Sequence, residues 1–331
     1  MILDNQKHNS MVYKESRQLR SRDEALTQIY GRKYTNYRKK WCADITDKNS
    51  IPAFPMDYSL QLVDSCNMKC AICHSRKRTA QKLEGGVLRK VIIEGKDKGL
   101  CSVAIGLDTE ALIDTNLLFE TIHYCQEAEI MDIMIDTNGL LLSEELSQKI
   151  IQCGVTMVCI SIDAATAETY KKIRHSDKFE LVCNNVKNLV QKRDDLNSTL
   201  PQIRISFCKT YVNKHEEQLF FDMWENIVDQ IDIQNYISTV GELQDLASGK
   251  QIKSDFCKDP FRRVGILANG DVQCCCCSFG HKDIIIGNIY KTSMQEIWDG
   301  EKMKAIQHAF LDHTDNIPRY CRQCLNNRWE F

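Results

Sequence analysis

The sequence shows almost no excess charge of either sign. Its 331 residues include 43 Lys and Arg against 45 Asp and Glu, a formal net charge of -2. Because this composition produces no global basic field, we expect no nucleic-acid or membrane-surface partner. The chain also lacks an apolar run long enough to cross a bilayer, and its first residues lack the apolar core of a secretory signal. These absences predict a cytoplasmic protein.

Cysteine, in contrast, is plentiful. Seventeen cysteines in a cytoplasmic chain indicate metal binding or catalysis rather than a disulfide framework. Several of them lie inside apolar runs and are predicted to be small buried side chains, among them Cys125, Cys159, Cys183 and Cys208. Two other groups, one near residue 70 and one beyond residue 256, have the spacing of ligands.

The first group consists of Cys66, Cys70 and Cys73, which follow the apolar run Ser59–Val63. Three thiolates on so short a loop can hold three corners of a 4Fe-4S cluster, which leaves the fourth iron open to a small molecule. A CxxC pattern by itself also suits zinc, a redox dithiol or buried cysteines.

The spacing of the three cysteines resembles the signature of the radical S-adenosylmethionine (SAM) enzymes. The resemblance implies that Cys66, Cys70 and Cys73 bind the 4Fe-4S cluster and that SAM binds its open iron. Ile72 departs from the aromatic residue that is frequent at its position in the family.

Between residues 55 and 238, short apolar runs alternate with amphipathic stretches. Six runs are predicted to be buried strands: Ser59–Val63, Cys101–Gly106, Met131–Asp136, Thr156–Ile162, Gln202–Phe207 and Gln230–Tyr236. Five stretches are predicted to be helices: Val87–Asp97, Asn116–Gln126, Glu144–Cys153, Phe179–Lys192 and Glu216–Asp229. Ser143 is placed to cap the third helix. The alternation predicts an α/β fold, and the resemblance implies a partial (β/α)6 TIM-like barrel with ligands at the carboxyl ends of its strands.

The ends of the later strands carry the predicted SAM contacts. Gly106–Glu110 resembles the family motif that receives the methionine amino group, which assigns Glu110. Asn138 lies in a turn that resembles the family's strand-four ending. Ser161 and Arg174 stand where related enzymes hold the carboxylate and ribose end of SAM. A solvated loop carboxylate and a surface ion pair are the alternatives for Glu110 and Arg174.

Residues 1–54 are predicted to form an N-terminal extension, with basic and aromatic residues between Tyr30 and Trp41. This mixture can grip an anionic or sugar-like ligand, or it can belong to a helix packed on the core. We favour the packed helix. Residues 51–55 contain two prolines and are predicted to be a linker.

Residues 239–331 are predicted to form a small α+β cluster-binding domain. Asn269 and Gly270 between apolar runs predict a hairpin, with Cys274–Cys277 along or just past its second strand and one of these thiols near Cys257. Ser293–Glu296 is a capping box, and the helix that it opens is predicted to run to about Phe310.

This second part resembles the SPASM and shorter twitch extensions of radical SAM enzymes. Cys257, Gly270 and Cys275 match their pattern. The resemblance implies that Cys257, Cys275, Cys321 and Cys324 surround one auxiliary 4Fe-4S cluster with no open iron. A structural zinc site could use the same four thiols. The spacing favours Cys275 among Cys274–Cys277, although it does not exclude the others.

The resemblance also implies a reaction. The protein would cleave SAM with one electron and abstract a hydrogen atom from a substrate. The layout with one auxiliary cluster is most similar to small dehydrogenases that oxidise a secondary alcohol of a sugar or aminocyclitol. A one-electron reductant such as flavodoxin or ferredoxin is the implied partner, and the sequence does not place the base that the oxidation needs.

Three alternatives stay open. Peptide-modifying maturases share the same extension, although no separate peptide-recognition domain is evident at the N-terminus. An epimerase would need a hydrogen donor, for which a thiol among Cys274–Cys277 could serve. A non-catalytic zinc-binding interaction module belongs to a different class, but it does not explain why Cys66–Cys73 follows the first strand.

Overall fold

One sheet organises the chain. The computed structural model describes residues 12–15, 21–73, 77–236, 250–252, 254, 256–276, 281–314, 316–326 and 328–330. The strands in these residues are β1 (Val12–Glu15), β2 (Asp57–Leu60), β3 (Ser102–Ile105), β4 (Asp132–Thr137), β5 (Met157–Ser161), β6 (Gln202–Lys209), β7 (Gln230–Asn235), β8 (Lys250–Ile252), β9 (Arg263–Ile266), β10 (Asp271–Gln273), β11 (Ile285–Asn288) and β12 (Arg328–Glu330). Ten of these strands form a sheet in the order β1-β7-β6-β5-β4-β3-β2-β9-β10-β11, while β8 pairs with β12.

Strands β2 to β7 are mutually parallel and lie side by side in chain order. They correspond to the six predicted strands, so the predicted α/β class and parallel array are confirmed. Strand β9 runs parallel to β2 on its other side, with Asp57 opposite Arg263 and Leu60 opposite Ile266. The C-terminal hairpin therefore extends the barrel sheet. The predicted boundary at residues 238 and 239 lies outside the described residues.

The described residues contain eleven α-helices. They are α1 (Arg22–Tyr30), α2 (Arg32–Cys42), α3 (Gly85–Gly95), α4 (Thr115–Glu127), α5 (Glu144–Gln152), α6 (Ala167–Arg174), α7 (Phe179–Asp195), α8 (Glu217–Trp224), α9 (Met294–Trp298), α10 (Glu301–Leu311) and α11 (Arg319–Asn326). The Ser143 hydroxyl accepts a hydrogen bond from the Leu146 N–H, which confirms the predicted cap of α5. No helix in the described ranges is long and apolar enough to span a membrane.

The prediction of one continuous helix from Ser293 to Phe310 is wrong. The capping box at Ser293 and Glu296 is present, but α9 ends at Trp298 and α10 begins at Glu301. Gly300 separates them in an extended conformation, and a Cβ there would lie 3.0 Å from the Glu296 carbonyl oxygen. Glycine permits this close approach, so the chain can start a second helix.

The N-terminal extension forms helices that pack on the barrel, which is the alternative that we favoured. Leu26 of α1 and Tyr34, Tyr37 and Trp41 of α2 are buried in a small apolar cluster. The Trp41 ring also faces the guanidinium of Arg263, 4.9 Å from the ring centroid. These aromatic residues hold the helices against the barrel.

Side chains of the parallel strands alternate between two environments. Ile133, Ile135, Val158 and Ile203 belong to the main apolar core under the helices. The opposite face, here called the inner face, carries polar residues, among them Asp57, Asp132, Asp136, Ser161, Arg204, Ser206 and Asp232. The two-residue period of a strand separates the sets. The inner face is therefore a polar surface enclosed by the barrel.

Helix α1 lies across the lower end of the inner face, where the parallel strands begin. The Arg22 guanidinium pairs with Asp132, and its Nη1 lies 3.3 Å from the sulfur atoms of both Met134 and Met157. We call Arg22, Asp132, Met134 and Met157 the floor. Its contacts attach the N-terminal helices to β4 and β5.

The buried ion pair of Arg193 and Asp229 gives a test of the fold. Arg193 also donates to the Pro201 carbonyl, and Asp229 accepts from the Ile203 N–H, so the pair joins α7 to the starts of β6 and β7. Arg193→Ala leaves the buried Asp229 carboxylate without its main partner, and we expect it to lower the free energy of unfolding by about 3–5 kcal/mol. Urea unfolding measures this loss. The double variant Arg193→Met/Asp229→Leu should lose less, and an equal or larger loss would contradict the assignment.

Candidate functional site

The carboxyl ends of the parallel strands bring the predicted cluster loop and SAM contacts together. The loop from Ser65 to Cys73 follows β2, and Glu110 follows β3. The Glu110 backbone N–H donates to the Ser65 carbonyl at 3.1 Å, and the Ala71 N–H donates to the carbonyl of Ile173 on α6 at 2.7 Å. These bonds attach both halves of the cluster loop to neighbouring elements.

Each thiol of the loop lies near a side-chain nitrogen. Asn138 Nδ2 is 4.0 Å from Cys66 Sγ. Arg174 Nη1 is 3.6 Å from Cys70 Sγ, and Arg78 Nη2 is 3.9 Å from Cys73 Sγ. All three thiols are free of disulfides. Because N–H groups and positive charge favour thiolates, this environment suits ligands of an iron-sulfur cluster.

Glu110 lies deep in the site and is 2% exposed. Its carboxylate accepts hydrogen bonds from Thr137 Oγ1 at 2.6 Å, the Asn138 N–H at 2.8 Å and the Leu112 N–H at 3.0 Å. Burial raises the pKa of Glu110, and these donors oppose that rise. The alternative of a solvated loop carboxylate is therefore wrong. The assignment of Glu110 to the SAM amino group stays a prediction, because three of its acceptor positions already serve the protein.

Asn138 connects this carboxylate to the cluster loop. Besides donating its backbone N–H to Glu110, it donates from Nδ2 to Asn67 Oδ1 at 2.7 Å. Asn67 directly follows Cys66. Asn138 therefore positions the first cysteine, whether or not it also contacts SAM.

Arg174 is buried rather than superficial. It is 8% exposed, and its Nη2 lies 2.5 Å from an oxygen of Asp163. Asp163 stands just beyond β5, with φ +63°, and also accepts from the Cys208 N–H at 2.7 Å. The surface ion pair considered for Arg174 is therefore wrong. The predicted Ser161 lies two residues before Asp163 and accepts a hydrogen bond from Ser206 Oγ at 3.3 Å.

Sequence reasoning missed Asp163 and Arg78. Asp163 directly follows the predicted strand and could have been found by its position at the strand end. Arg78 belongs to no recognised motif, yet its guanidinium spans Asp64 Oδ1 at 3.2 Å and the Asp108 carbonyl at 2.6 Å. Arg78 thus joins the segment after the cluster loop to the loops that follow β2 and β3.

A second layer of groups lies below these contacts on the inner face. Asp136 of β4 pairs in register with Cys159 of β5, and Cys159 pairs with Arg204 of β6. Cys159 is 5% exposed, and burial raises the pKa of its thiol to about 12. Cys125 and Cys183 lie in the apolar core, as predicted. Cys159 is also buried, but it faces polar neighbours.

The C-terminal cysteines also converge, except that Cys277 lies outside the described residues. Burial raises the pKa of Cys257, and the nearby thiols of Cys275 and Cys324 raise it further. Cys275 has Cys274, Cys276 and Cys321 as neighbours. The predicted proximity of a hairpin thiol to Cys257 is therefore confirmed.

Cys274 and Cys276 have surroundings different from those of Cys275. Cys274 is completely buried and interacts with Cys275 and Cys321, whereas the thiol near Cys257 is that of Cys275. Cys276 Sγ accepts from Arg263 Nη1 at 3.2 Å and lies 3.7 Å from Asp259 Oδ2. Cys275 is thus the hairpin thiol between Cys257 and Cys321. Among the described residues, no three Cys, His, Asp or Glu side chains converge as ligands of a single metal ion would.

Two family models match the chain. Residues 60–200 match the radical SAM superfamily, and residues 257–325 match SPASM, an iron-sulfur cluster-binding domain. These segments contain all seven predicted cluster cysteines. The cofactors that the two domains imply are SAM, a 4Fe-4S cluster and auxiliary iron-sulfur binding.

Curated relatives match a part of the chain. An uncharacterized protein of Methanocaldococcus jannaschii is 29% identical over 129 residues, which cover 39% of this chain and 42% of that protein. A probable GTP 3',8-cyclase of Methanococcus maripaludis is 28% identical over 137 residues, 40% of this chain and 45% of the cyclase. The match thus spans less than half the length of these relatives.

Solved structures resemble the fold over most of the chain. SuiB of Streptococcus suis, bound to precursor peptide SuiA, has a TM-score of 0.61 at 17% identity and covers 82% of this chain and 70% of SuiB. Native anSMEcpe with bound AdoMet has a TM-score of 0.60 at 13% identity, and the match covers 83% of this chain and 89% of anSMEcpe. BtrN in complex with AdoMet and 2-DOIA has a TM-score of 0.51 at 16% identity, and the match covers 83% of this chain and 93% of BtrN. At these identities the likeness concerns the fold alone.

Iron analysis tests the two groups of cysteines. Anaerobically reconstituted protein should contain about eight iron per chain, and the Cys66→Ala/Cys70→Ala/Cys73→Ala variant about four, because each cubane cluster holds four. Sulfide content and visible absorption are measured in parallel. Zinc in place of iron, with a colourless protein, would contradict both assignments.

The choice of the hairpin ligand can be tested separately. Cys275→Ala should lose about four iron per chain, because it removes the thiol beside Cys257 and Cys321. Cys276→Ala is the matched control, and it should retain its iron because that thiol faces Arg263 and Asp259. The reverse result would assign Cys276 as the ligand.

Proposed function

The chain belongs to the radical SAM superfamily and carries a C-terminal SPASM domain, and on this premise we propose that it is an oxidoreductase for a small alcohol. Its substrate would be a sugar or an aminocyclitol, and the reaction would convert a secondary alcohol to a ketone. The observation that carries the small-molecule class is the polar inner face, which Arg22 bounds at its lower end through Asp132, Met134 and Met157.

The residues at the upper end fit the implied cofactors. Cys66, Cys70 and Cys73 supply three thiols on one loop, and nitrogens from Asn138 and Arg174 lie near the first two. When bound there, a 4Fe-4S cluster and SAM would supply the one-electron cleavage of SAM and the hydrogen-atom abstraction that it drives.

The protein's own part is to bind and orient. Arg174 is the buried cation of the site and is held by Asp163, so it is suited to a carboxylate such as that of SAM. Ser161 at the end of β5 and its neighbour Ser206 on β6 offer hydroxyl groups. Glu110 fixes the backbone of Asn138 and thereby the position of the cluster loop.

The C-terminal thiols serve the second cofactor. Cys257, Cys275, Cys321 and Cys324 are the proposed ligands of one auxiliary 4Fe-4S cluster. A closed four-thiolate shell suits electron transfer or structural support rather than SAM binding. Oxidation of an alcohol to a ketone releases a second electron, for which such a cluster is a suitable acceptor.

The proposed reductant is an acidic one-electron carrier such as flavodoxin or ferredoxin. Lys69 lies in the cluster loop and is exposed, as are Lys77 just after the loop and Lys171 on α6. These charges lie on or just after the loop of Cys66–Cys73 and on α6, which contacts the loop through the Ala71–Ile173 hydrogen bond. Complementary charge accelerates the encounter of such partners.

The proposal predicts substrate-coupled SAM cleavage. With dithionite and SAM, the reconstituted protein should form 5'-deoxyadenosine, and a ring-deuterated aminocyclitol or sugar substrate should transfer deuterium to it. The Cys66→Ala/Cys70→Ala/Cys73→Ala variant should form none, because it lacks the cluster ligands. Mass spectrometry of 5'-deoxyadenosine gives both results.

Three outcomes would contradict this function. Deuterium transfer from peptides but from no sugar or aminocyclitol would support a peptide-modifying maturase. Inversion of a substrate carbon without net two-electron oxidation would support an epimerase. Failure of the parent protein to cleave SAM, together with zinc in its cysteine sites, would favour the non-catalytic interaction module.

A further inference from the structure

We propose that Asp136 is the base of this oxidation and that it forms the substrate-binding layer together with Cys159 and Arg204. The inference rests on the proposed function, since it identifies a group that accepts the hydroxyl proton of the alcohol. It is supported by the register of the strands, the depth of the layer, the exposure of the carboxylate and its charged neighbours.

Strand register places the three residues side by side. Asp136 is opposite Cys159, and Cys159 is opposite Arg204, on three neighbouring parallel strands. Ile135 and Ile160 point to the apolar core on the other face. Because side chains alternate along a strand, Asp136, Cys159 and Arg204 share the inner face. A polar ligand against these strands would meet all three.

The depth of this layer suits a substrate. Ser161 and Ser206, at the predicted SAM end, are two residues further along their strands than Cys159 and Arg204, a rise of roughly 7 Å. Met134 and Met157, which pair with each other, lie two residues in the opposite direction and belong to the floor. The layer therefore lies between the predicted SAM contacts and the floor.

Exposure distinguishes Asp136 from the other carboxylates of the inner face. Asp57 is 1% exposed, and Asp132 and Asp232 are completely buried. Asp132 pairs with Arg22, Asp57 lies 3.6 Å from Arg263, and Asp232 accepts from Gln234. Asp136 is only partly buried and can reach a ligand. It is the carboxylate of this group that a substrate hydroxyl can contact.

The charged and titratable neighbours of Asp136 make it a suitable base. Burial raises the pKa of its carboxyl, whereas Arg204, the Cys159 thiol and Arg263 lower it and Asp232 raises it. The net direction is upward, toward the neutral range in which a general base works best. Arg204, whose Nη1 also lies 3.9 Å from Asp232 Oδ2, is close enough to lower the pKa of Asp136 and can hold the oxygen of the substrate.

After one hydrogen atom leaves the carbinol carbon, that carbon is a neutral radical that still carries its hydroxyl group. The O–H bond breaks, a new O–H bond forms on Asp136, and a ketyl radical anion remains beside Arg204. Loss of one electron to an oxidised iron-sulfur cluster completes the ketone, and Asp136 later returns its proton to solvent.

Asp136→Asn tests this role because it keeps the size of the side chain and removes its basicity. The probes are aminocyclitols and hexoses deuterated at their ring carbons. With a probe that the parent protein oxidises, the variant should still transfer deuterium to 5'-deoxyadenosine within about twofold. Ketone formation should fall at least about 100-fold, the lower range of the contribution of a general base.

Asp222→Asn is the matched control, since Asp222 is an exposed carboxylate on α8 that is bonded to Gln218. It should equal the parent in deuterium transfer and ketone yield. Asp136→Glu should restore part of the ketone yield, which a purely structural role would not require. Equal iron content of all variants confirms that their cluster sites have formed.

The outcomes separate the two levels of the proposal. Deuterium transfer with unchanged ketone yield in Asp136→Asn would overturn the role of Asp136 and leave the alcohol oxidation intact. Loss of transfer and ketone together, at parent iron content and unchanged SAM binding, would make Asp136 a substrate-binding group and not the base. No transfer from any alcohol probe in the parent protein would overturn the alcohol substrate and the base together.

Discussion

The carboxylate of Glu110 is the interaction on which the candidate site depends. It joins the loop after β3 to the end of β4 through Thr137 and the Asn138 N–H, while its own backbone bonds Ser65 beside the first cysteine. A buried carboxylate requires such donors, because burial without them would be costly. Three loops that come from three strands are therefore held in one arrangement. This arrangement positions the thiols of Cys66, Cys70 and Cys73.

Other charged side chains of the inner face also have a partner of opposite charge. Arg174 is buried with Asp163, the partly buried Arg22 pairs with the buried Asp132, and the partly buried Arg263 lies near the buried Asp57. The pairs of Arg22 and Arg263 connect segments that are distant in the chain. Buried charge is costly for stability, and its retention on a barrel's inner face is typical of sites that bind polar ligands. The inner face thus combines a rigid frame with a polar environment in which one carboxylate is partly open.

The C-terminal part is continuous with this frame. Strand β9 pairs with β2, and the hairpin it forms with β10 ends directly before Cys274. The C-terminal cysteines consequently lie near the strand starts, whereas Cys66–Cys73 lies at the strand ends. The inner face lies between the two groups of thiols. This placement would let a substrate radical lie between two iron-sulfur centres.

Local patterns in the sequence determined the six parallel strands, the cap at Ser143, the Asn269–Gly270 hairpin and the two groups of cysteines. Each depends on residues a few positions apart, so spacing and periodicity are sufficient. Only the tertiary structure decided that Asp136, Cys159 and Arg204 form one layer, that Arg22 bounds it and that β9 extends the sheet. Alternation indicates which residues share a face, but strand order and register determine which of them meet. Those depend on contacts between distant segments, which no local pattern encodes.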